Sequence, residues 1–442
     1  MADTSKPNSA DIVVPDVKPA NGHHGANGLA KRRVPVVDIS VALAPCDAES
    51  VPNIVKDIAA LGNTTESLDE NARLELLAKA RSLVLALETP RETMIRHCWA
   101  QPSALVALTV GVDTGLFFVL GADTKPKKVN DLAEAIGVDP PLLGRLMRHM
   151  ASMGYITETG PDEYKPTNFS RAMSIPVISD GYPCVSGGMM AALARFHEFA
   201  KLKNYQTPTQ IDDGSLQYAY NTKRNLFEHL QANPPYGEQF NHHMGGYRQG
   251  RPSWMDDGFY PVKERLIEGA DTGPDAAFLV DIGGNLGHDL DEFRRKHPNA
   301  PGRLILQDLP PVIGQIVELD ARIERMPYDF YEEQPVKGAR AYYMHSVLHD
   351  WPDDTCTKIL DRIKEAMKPG YSRLLINENV IPAEKAQWEA TALDIMMLTL
   401  LSSRERTEAD WRHLLEDLAG MRIRQIYTAA NGVESIIECE LV

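Results

Sequence analysis

The spacing of apolar positions along this chain changes character between its two halves. From 67 to 95, Leu74, Leu77, Leu83 and Leu87 recur near helical spacing with charges between them and Pro90 interrupting, which predicts an amphipathic helix. The apolar stretch Ser103 to Ala122 could span a bilayer by length, but it holds Asp113 and interior glycines and lacks flanking cationic anchors. It reads as a buried helix pair. Helical pattern continues to about 200, including a helix over Asn130 to Val138 and another after Pro140-Pro141. After 265 come four apolar runs, AAFLVDIG, RLILQDL, ARAYYMHSVL and SRLLINENV, separated by helical segments. Such runs are buried parallel strands. The expected fold class is therefore α/β: a doubly wound, mostly parallel sheet preceded by an α-helical domain. Ligands of such sheets bind beyond the carboxyl ends of the strands, which directs attention to 281–288, 308, 329–350 and 378.

A chain of 442 residues exceeds what one core usually organises. The reading divides it into a disordered extension (1–52), a helical domain (53–205) and a ligand-binding α/β domain (206–442). The extension is rich in Ala, Asn, Pro, Gly and Asp, and its Lys31-Arg32-Arg33 is assigned no role. Within the helical domain, Lys128 to Tyr164 reads as helix, turn, helix and hairpin, a winged helix-turn-helix. Yet residues 125 to 165 balance six basic against six acidic groups, and the whole chain carries a net charge of −15. Neither favours nucleic acid or an anionic membrane surface. The five cysteines form no CxxC pair or Cys/His cluster, and the first 20 residues contain no apolar leader, so a cytoplasmic setting is expected.

The first apolar run ends in Asp281-Ile-Gly283-Gly284-Asn285-Leu286-Gly287-His288. A dinucleotide fingerprint would need glycine at 285 and 288, so a nicotinamide cofactor is disfavoured. The spacing D-x-G-G-x-x-G resembles motif I of class I methyltransferases, whose loop embraces the amino-acid part of S-adenosylmethionine. Asp308, ending the next run, suits a ribose diol, because its carboxylate can accept from both hydroxyls.

A later run leads into His345-Ser-Val-Leu-His349-Asp350-Trp351-Pro352-Asp353-Asp354. A phenol with a pKa of about 10 is roughly 0.1% ionised at pH 7, and a nearby imidazole can offset about 4 kcal/mol of deprotonation cost. His349 is the candidate base. Glu378, in NENVIP, and Glu405, in Arg404-Glu405-Arg406-Thr407, are candidates to orient the imidazole and stabilise its protonated form.

From about 95 onward the chain resembles the plant caffeate-type O-methyltransferases and, more closely, their fungal secondary-metabolite relatives. The matching segments are VDIGGNLGHDL, LILQDLP, DF at 329–330, YYMHSVLHDWPDD, LLINENVIP, DIMMLTL, ERT and AGM. The resemblance implies a homodimer joined through the helical, winged part and a metal-independent catalytic part. It also implies a cofactor site of Asp281, Gly283, Gly284, Gly287, Asp308, Asp329 and Phe330, with His349 as base and Glu378 and Glu405 as supports. The acceptor would be a small aromatic, polyketide or alkaloid molecule. His345 stands where the family usually has lysine or arginine near the cofactor, so it is counted with that site as a departure.

Three other readings compete. His345 and His349 are four apart near several aspartates, but the segment reads as a strand rather than a metal-binding helix and no third ligand motif is evident, so no metal is expected. A methyltransferase fold can also serve a pericyclase or dehydratase, or a non-catalytic dimeric binding protein. His242-His243 reads as structural or pocket-lining, and Met396 and Met397 as core.

Overall fold

In the computed structural model, which describes residues 37–63, 69–247, 250–429 and 434–442, the four apolar runs are strands of one sheet. They are β1 (Ala277–Ile282), β2 (Arg303–Asp308), β4 (Ala341–His345) and β5 (Arg373–Ile381), joined by β3 (Ile323–Pro327), β6 (Met421–Thr428) and β7 (Glu434–Leu441). The order across the sheet is β6-β7-β5-β4-β1-β2-β3. Neighbours from β5 to β3 are parallel, whereas β7 runs antiparallel to both β5 and β6. A two-residue strand, Arg406–Thr407, extends the end of β5 in parallel. The doubly wound, mostly parallel class holds. Of the three strands beyond the expected four, β3 reads IERMP and β6 reads MRIRQIYT, with polar residues on alternate positions, while β7, ESIIECEL, is buried but carries three glutamates and a serine.

Both faces of the sheet are covered, which is why its central strands are apolar until they reach their carboxyl ends, where Asp281, Gln307, Asn377 and Glu378 stand buried. Tyr342, Met344, Leu374 and Ile376 pack on one side against Cys356, Ile359 and Leu360 of the helix Asp353–Ala366 and against Trp411. Tyr343, Leu375, Leu304 and Leu306 pack on the other side with Leu290 and Phe293 of the helix His288–Lys296 and with Trp254. The chain order reverses between β1 and β4. Their carboxyl ends, with those of β2 and β5, therefore diverge into a crevice.

The described residues divide into two compact units, one ending at Val106 and one beginning at Ala107. The expected boundary near 205 falls inside the second, because the helices between 184 and 231 share one apolar cluster with Met397, Leu400 and Leu401 of the helix Trp388–Leu401. Met397 is core, as expected. The winged unit lies in this second unit: helices Val129–Ile136 and Pro140–Ser152 pack with a three-stranded sheet made by 127–128, 156–160 and 163–166. Ser103 to Ala122 contributes to two helices, Gln101–Asp113 and Leu116–Gly121, with Gly115 between them at φ +73°. No described helix is long and apolar enough to cross a membrane.

In the first unit the pattern from 67 to 95 gives two helices, Glu70–Leu87 capped by Asp69 and Pro90–Ile95 opened by a Thr89/Glu92 capping box. Of the extension expected over 1–52, residues 1–36 and the Lys31-Arg32-Arg33 run lie outside the described residues; 39–43 form a 3-10 turn capped by Asp38, and a helix begins at Val51.

Candidate active site

The loop after β1 turns because glycine permits what other residues do not. Gly283 and Gly287 adopt φ +74° and +85°, in the left-handed region. Gly284 has ordinary dihedrals but no room: a Cβ there would stand 2.5 Å from the buried carboxyl of Asp281 and from Leu306. A Cβ on Gly283 would meet Val347 Cγ2 at 2.9 Å. Asn285, also left-handed at φ +52°, donates its backbone N–H to Asp308 Oδ2 at 2.8 Å. Leu309 N–H donates to the other oxygen at 2.7 Å. The Asp308 carboxylate is thus aimed by two amides, with lone pairs left for a diol, and burial raises its pKa above the usual range. A glycine cradle beside an oriented carboxylate fits the amino-acid and ribose parts of S-adenosylmethionine.

The acidic and aromatic pair beyond β3 separates. Asp329 is exposed and caps its own turn by accepting from Tyr331 N–H. Phe330 is half-buried and meets Trp351 edge to face at 5.8 Å between ring centres. Tyr331 and Phe227 also lie against Trp351, at 5.6 and 6.2 Å, and Phe240 lies against Phe227 at 6.1 Å. These rings form an aromatic wall beside the turn that carries His349. A cavity of about 510 Å³ lined by Asn241, His242, Leu286 and Gln315 opens along the glycine loop. There His242 Nδ1 bonds Asp180 Oδ2 at 2.7 Å, in keeping with a pocket-lining role.

His345 turns to carboxylates. Its Nδ1 is 2.8 Å from Asp289 Oδ2 and its Nε2 3.5 Å from Glu434 Oε1, which also receives Arg251 at 2.6 Å. Burial opposes a charge on this ring, but the two carboxylates outweigh it and push its pKa up to about 10, while Glu434 falls to about 2. The two carboxylates thus favour the charged form of this buried ring at the end of β4.

His349 sits in a short turn, 348–350, after β4 and is almost fully buried. Its Nδ1 lies 2.6 Å from Glu405 Oε1. A carboxylate offers only acceptors, so Nδ1 carries the proton and Nε2 is the ring atom left for base work. Nε2 faces Asp350 Oδ1 at 3.5 Å. Glu378 comes only within 3.7 Å of Nδ1, through Oε2. Its Oε1 instead accepts the backbone N–H groups of Val347, Leu348 and His349 at 2.9, 2.8 and 3.3 Å. Glu405 thus orients the ring, and Glu378 holds the turn. Burial disfavours the imidazolium, yet Glu378, Asp350 and Glu405 together hold the His349 pKa well above its ordinary value. Burial lifts Asp350 to about 7. His349, Glu378 and Glu405 could each offer a ligand atom, all within 4.8 Å of one another, a triad that the sequence pattern did not bring out as a metal candidate.

Sequence reasoning passed over three groups here. Asp350 and Trp351 are adjacent to His349 in sequence, and that adjacency was the available signal. Ser403, whose Oγ donates to the His349 carbonyl at 2.6 Å, leaves no such mark, because a bond to backbone has no partner residue type to recognise.

With this geometry in place, relatives are informative. An O-methyltransferase domain model matches residues 262–422. O-methyltransferase mpaG' of Penicillium brevicompactum is 36% identical over 89% of this chain and 99% of its own. Among solved structures, a protein described as a pericyclic reaction enzyme is 31% identical with a TM-score of 0.80, covering 89% of this chain and all of its own. LepI in complex with S-adenosylmethionine is 29% identical with the same TM-score and coverage. The glycine loop, the strand order and a similarity running through nearly the whole chain lead to one conclusion: this chain belongs to the S-adenosylmethionine-dependent O-methyltransferases.

Proposed function

We propose that the chain methylates a hydroxyl, of phenolic type, on a small aromatic secondary metabolite of polyketide or alkaloid origin, with His349 as general base. The observation that carries this reading is the 2.6 Å bond between His349 Nδ1 and Glu405 at the same carboxyl end of the sheet that bears the glycine loop. The aromatic wall of Phe227, Phe330, Tyr331 and Trp351 suits a flat acceptor, since ring pairs favour stacked and edge contacts.

Gly283, Gly284, Gly287 and Asp308 would hold S-adenosylmethionine, with Asp281 buried behind the loop and Asp329 and Phe330 on the border between cofactor and acceptor. Bound there, the cofactor supplies an electrophilic methyl group on a sulfonium centre. His349 Nε2 takes the acceptor's proton, and Glu405 stabilises the imidazolium that results. Positioning the acceptor oxygen at about 3 Å accounts for most of the acceleration. The base adds about 10²- to 10⁴-fold. Glu405 and Glu378 spend Oε1 on His349 and on the turn and keep Oε2 buried without a hydrogen-bond partner, so EDTA treatment is the test of a metal-independent reaction, and activity should survive it. A homodimer through the N-terminal helices agrees with Leu77, Val84, Leu85 and Leu87 standing exposed on Glu70–Leu87.

Label from methyl-labelled S-adenosylmethionine should pass to a phenolic polyketide or alkaloid, and His349→Ala should lower transfer about 10²- to 10⁴-fold while cofactor binding persists. The 31% identical pericyclic enzyme keeps a second reading open. Conversion of a substrate without label in the product would favour that reading and refute methyl transfer.

A further inference from the structure

The turn 347–351 carries the base without a strand or long helix to satisfy its backbone, so its polar groups need partners elsewhere. Glu378 takes three N–H groups and Ser403 one carbonyl. The carbonyls of Leu348 and Trp351 go to Arg406, through Nη1 at 2.8 Å and Nη2 at 2.8 Å. The same guanidinium binds Asp353 Oδ1 through Nε at 3.0 Å and Nη2 at 2.7 Å, and lies 5.2 Å from the centre of the Trp411 ring.

Arg406 is among the largest fully buried side chains in the protein. Taking a guanidinium out of water is costly, and apolar packing would fill the same space more cheaply. Its compensation is the set of acceptors on and just after the His349 turn. A planar fork is suited to two carbonyls and a carboxylate at fixed angles, whereas an ammonium is not. Arg406 also follows Glu405 directly, and the pairing of Val380 with Arg406 ties this segment to the end of β5. Glu405 reaches the imidazole, and its neighbour in sequence reaches the backbone on both sides of it.

We propose that Arg406 is a positioning residue for the transfer reaction, fixing the 348–351 turn so that His349 Nε2 meets the acceptor hydroxyl. This rests on His349 being the base. Arg406 touches no reacting atom; it acts through the carbonyls of Leu348 and Trp351.

The test uses the full chain with Arg406→Met and Arg406→Lys, following methyl transfer against pH, cofactor binding by calorimetry, and the downfield Nδ1 proton of His349 by NMR. Arg406→Met should lower kcat about 100-fold, within the range a displaced base costs, with cofactor Kd changed less than about twofold. Loss of the cation beside the carboxylates should also move the acid limb of the pH profile upward, since His349 then keeps its proton longer. Arg406→Lys restores the charge but not the fork, so the limb should return while kcat stays about tenfold down. Should Arg406→Met not fold, the split between kcat and limb in Arg406→Lys decides the question. A wild-type kcat per folded molecule, or a loss matched wholly by lost folded protein with an unmoved limb, overturns the proposal. The NMR signal separates the two ideas. If wild type transfers no methyl group, the methyltransferase reading fails; if the Nδ1 proton persists unchanged in Arg406→Met, the positioning role fails whatever the activity.

Discussion

Glu405 and His349 meet through a 2.6 Å hydrogen bond between two buried groups, Oε1 to Nδ1, and this contact decides which ring nitrogen can work as a base. His349 is held protonated above its ordinary value of 6.5 by the surrounding carboxylates, against the effect of burial. A base functions only once that proton has left. Activity should therefore rise with pH through a midpoint above 6.5.

Glu405→Gln removes one carboxylate, so the midpoint should move toward lower pH while the maximal rate falls about 10²- to 10⁴-fold. Profiles of kcat/KM against pH for both proteins check this, and an unmoved midpoint contradicts it.

Asp308 should govern cofactor affinity rather than chemistry. Its carboxylate is oriented by the amides of Asn285 and Leu309. Charge-assisted hydrogen bonds contribute about 1.5–3 kcal/mol, so Asp308→Ala should raise the cofactor Kd about 10- to 150-fold. Calorimetry reads the first effect; kcat at saturating cofactor should change much less.

Gly283→Ala combines two penalties: φ of +74° and a Cβ 2.9 Å from Val347, at the entrance to the base-bearing turn. Gly137→Ala has φ +70° and nothing within 4 Å of its Cβ, so it carries strain alone, about 1–2 kcal/mol. Chemical denaturation should find Gly283→Ala less stable than Gly137→Ala, and only Gly283→Ala should weaken cofactor binding.

The His345 cluster should show in the pH dependence of stability. His345, raised to about 10, stabilises the fold fully below its ordinary 6.5, and that contribution is lost as pH climbs through 10. Glu434, lowered to about 2, contributes fully above its ordinary 4.5 and loses that contribution as pH falls through 2. The stability difference between wild type and His345→Gln should thus be greatest between pH 4.5 and 6.5. A difference that grows toward pH 10 would contradict the assignment.

The sequence by itself determined the parts of this protein that repeat locally. Four apolar runs separated by helical segments can bury both faces only in a sheet covered on both sides, so the class and the carboxyl-end crevice followed from pattern. Gly283, Gly284 and Gly287 were legible because backbone turns demand glycine, and His349 because few residue types have its chemistry near neutral pH. β3, β6 and β7 escaped that reading because half-polar strands lack the signal of a buried run. Tertiary structure alone decided how roles divide around the base. Glu378, 29 residues from His349, and Glu405, 56 residues away, are alike as carboxylates, yet one takes the imidazole and the other the turn's amides. The charged form of His345 is favoured only because Asp289 and Glu434 close on it. Arg406 found its carbonyls in the same way. Such assignments depend on distances of a few tenths of an ångström between residues remote in the chain, and only the folded packing sets them.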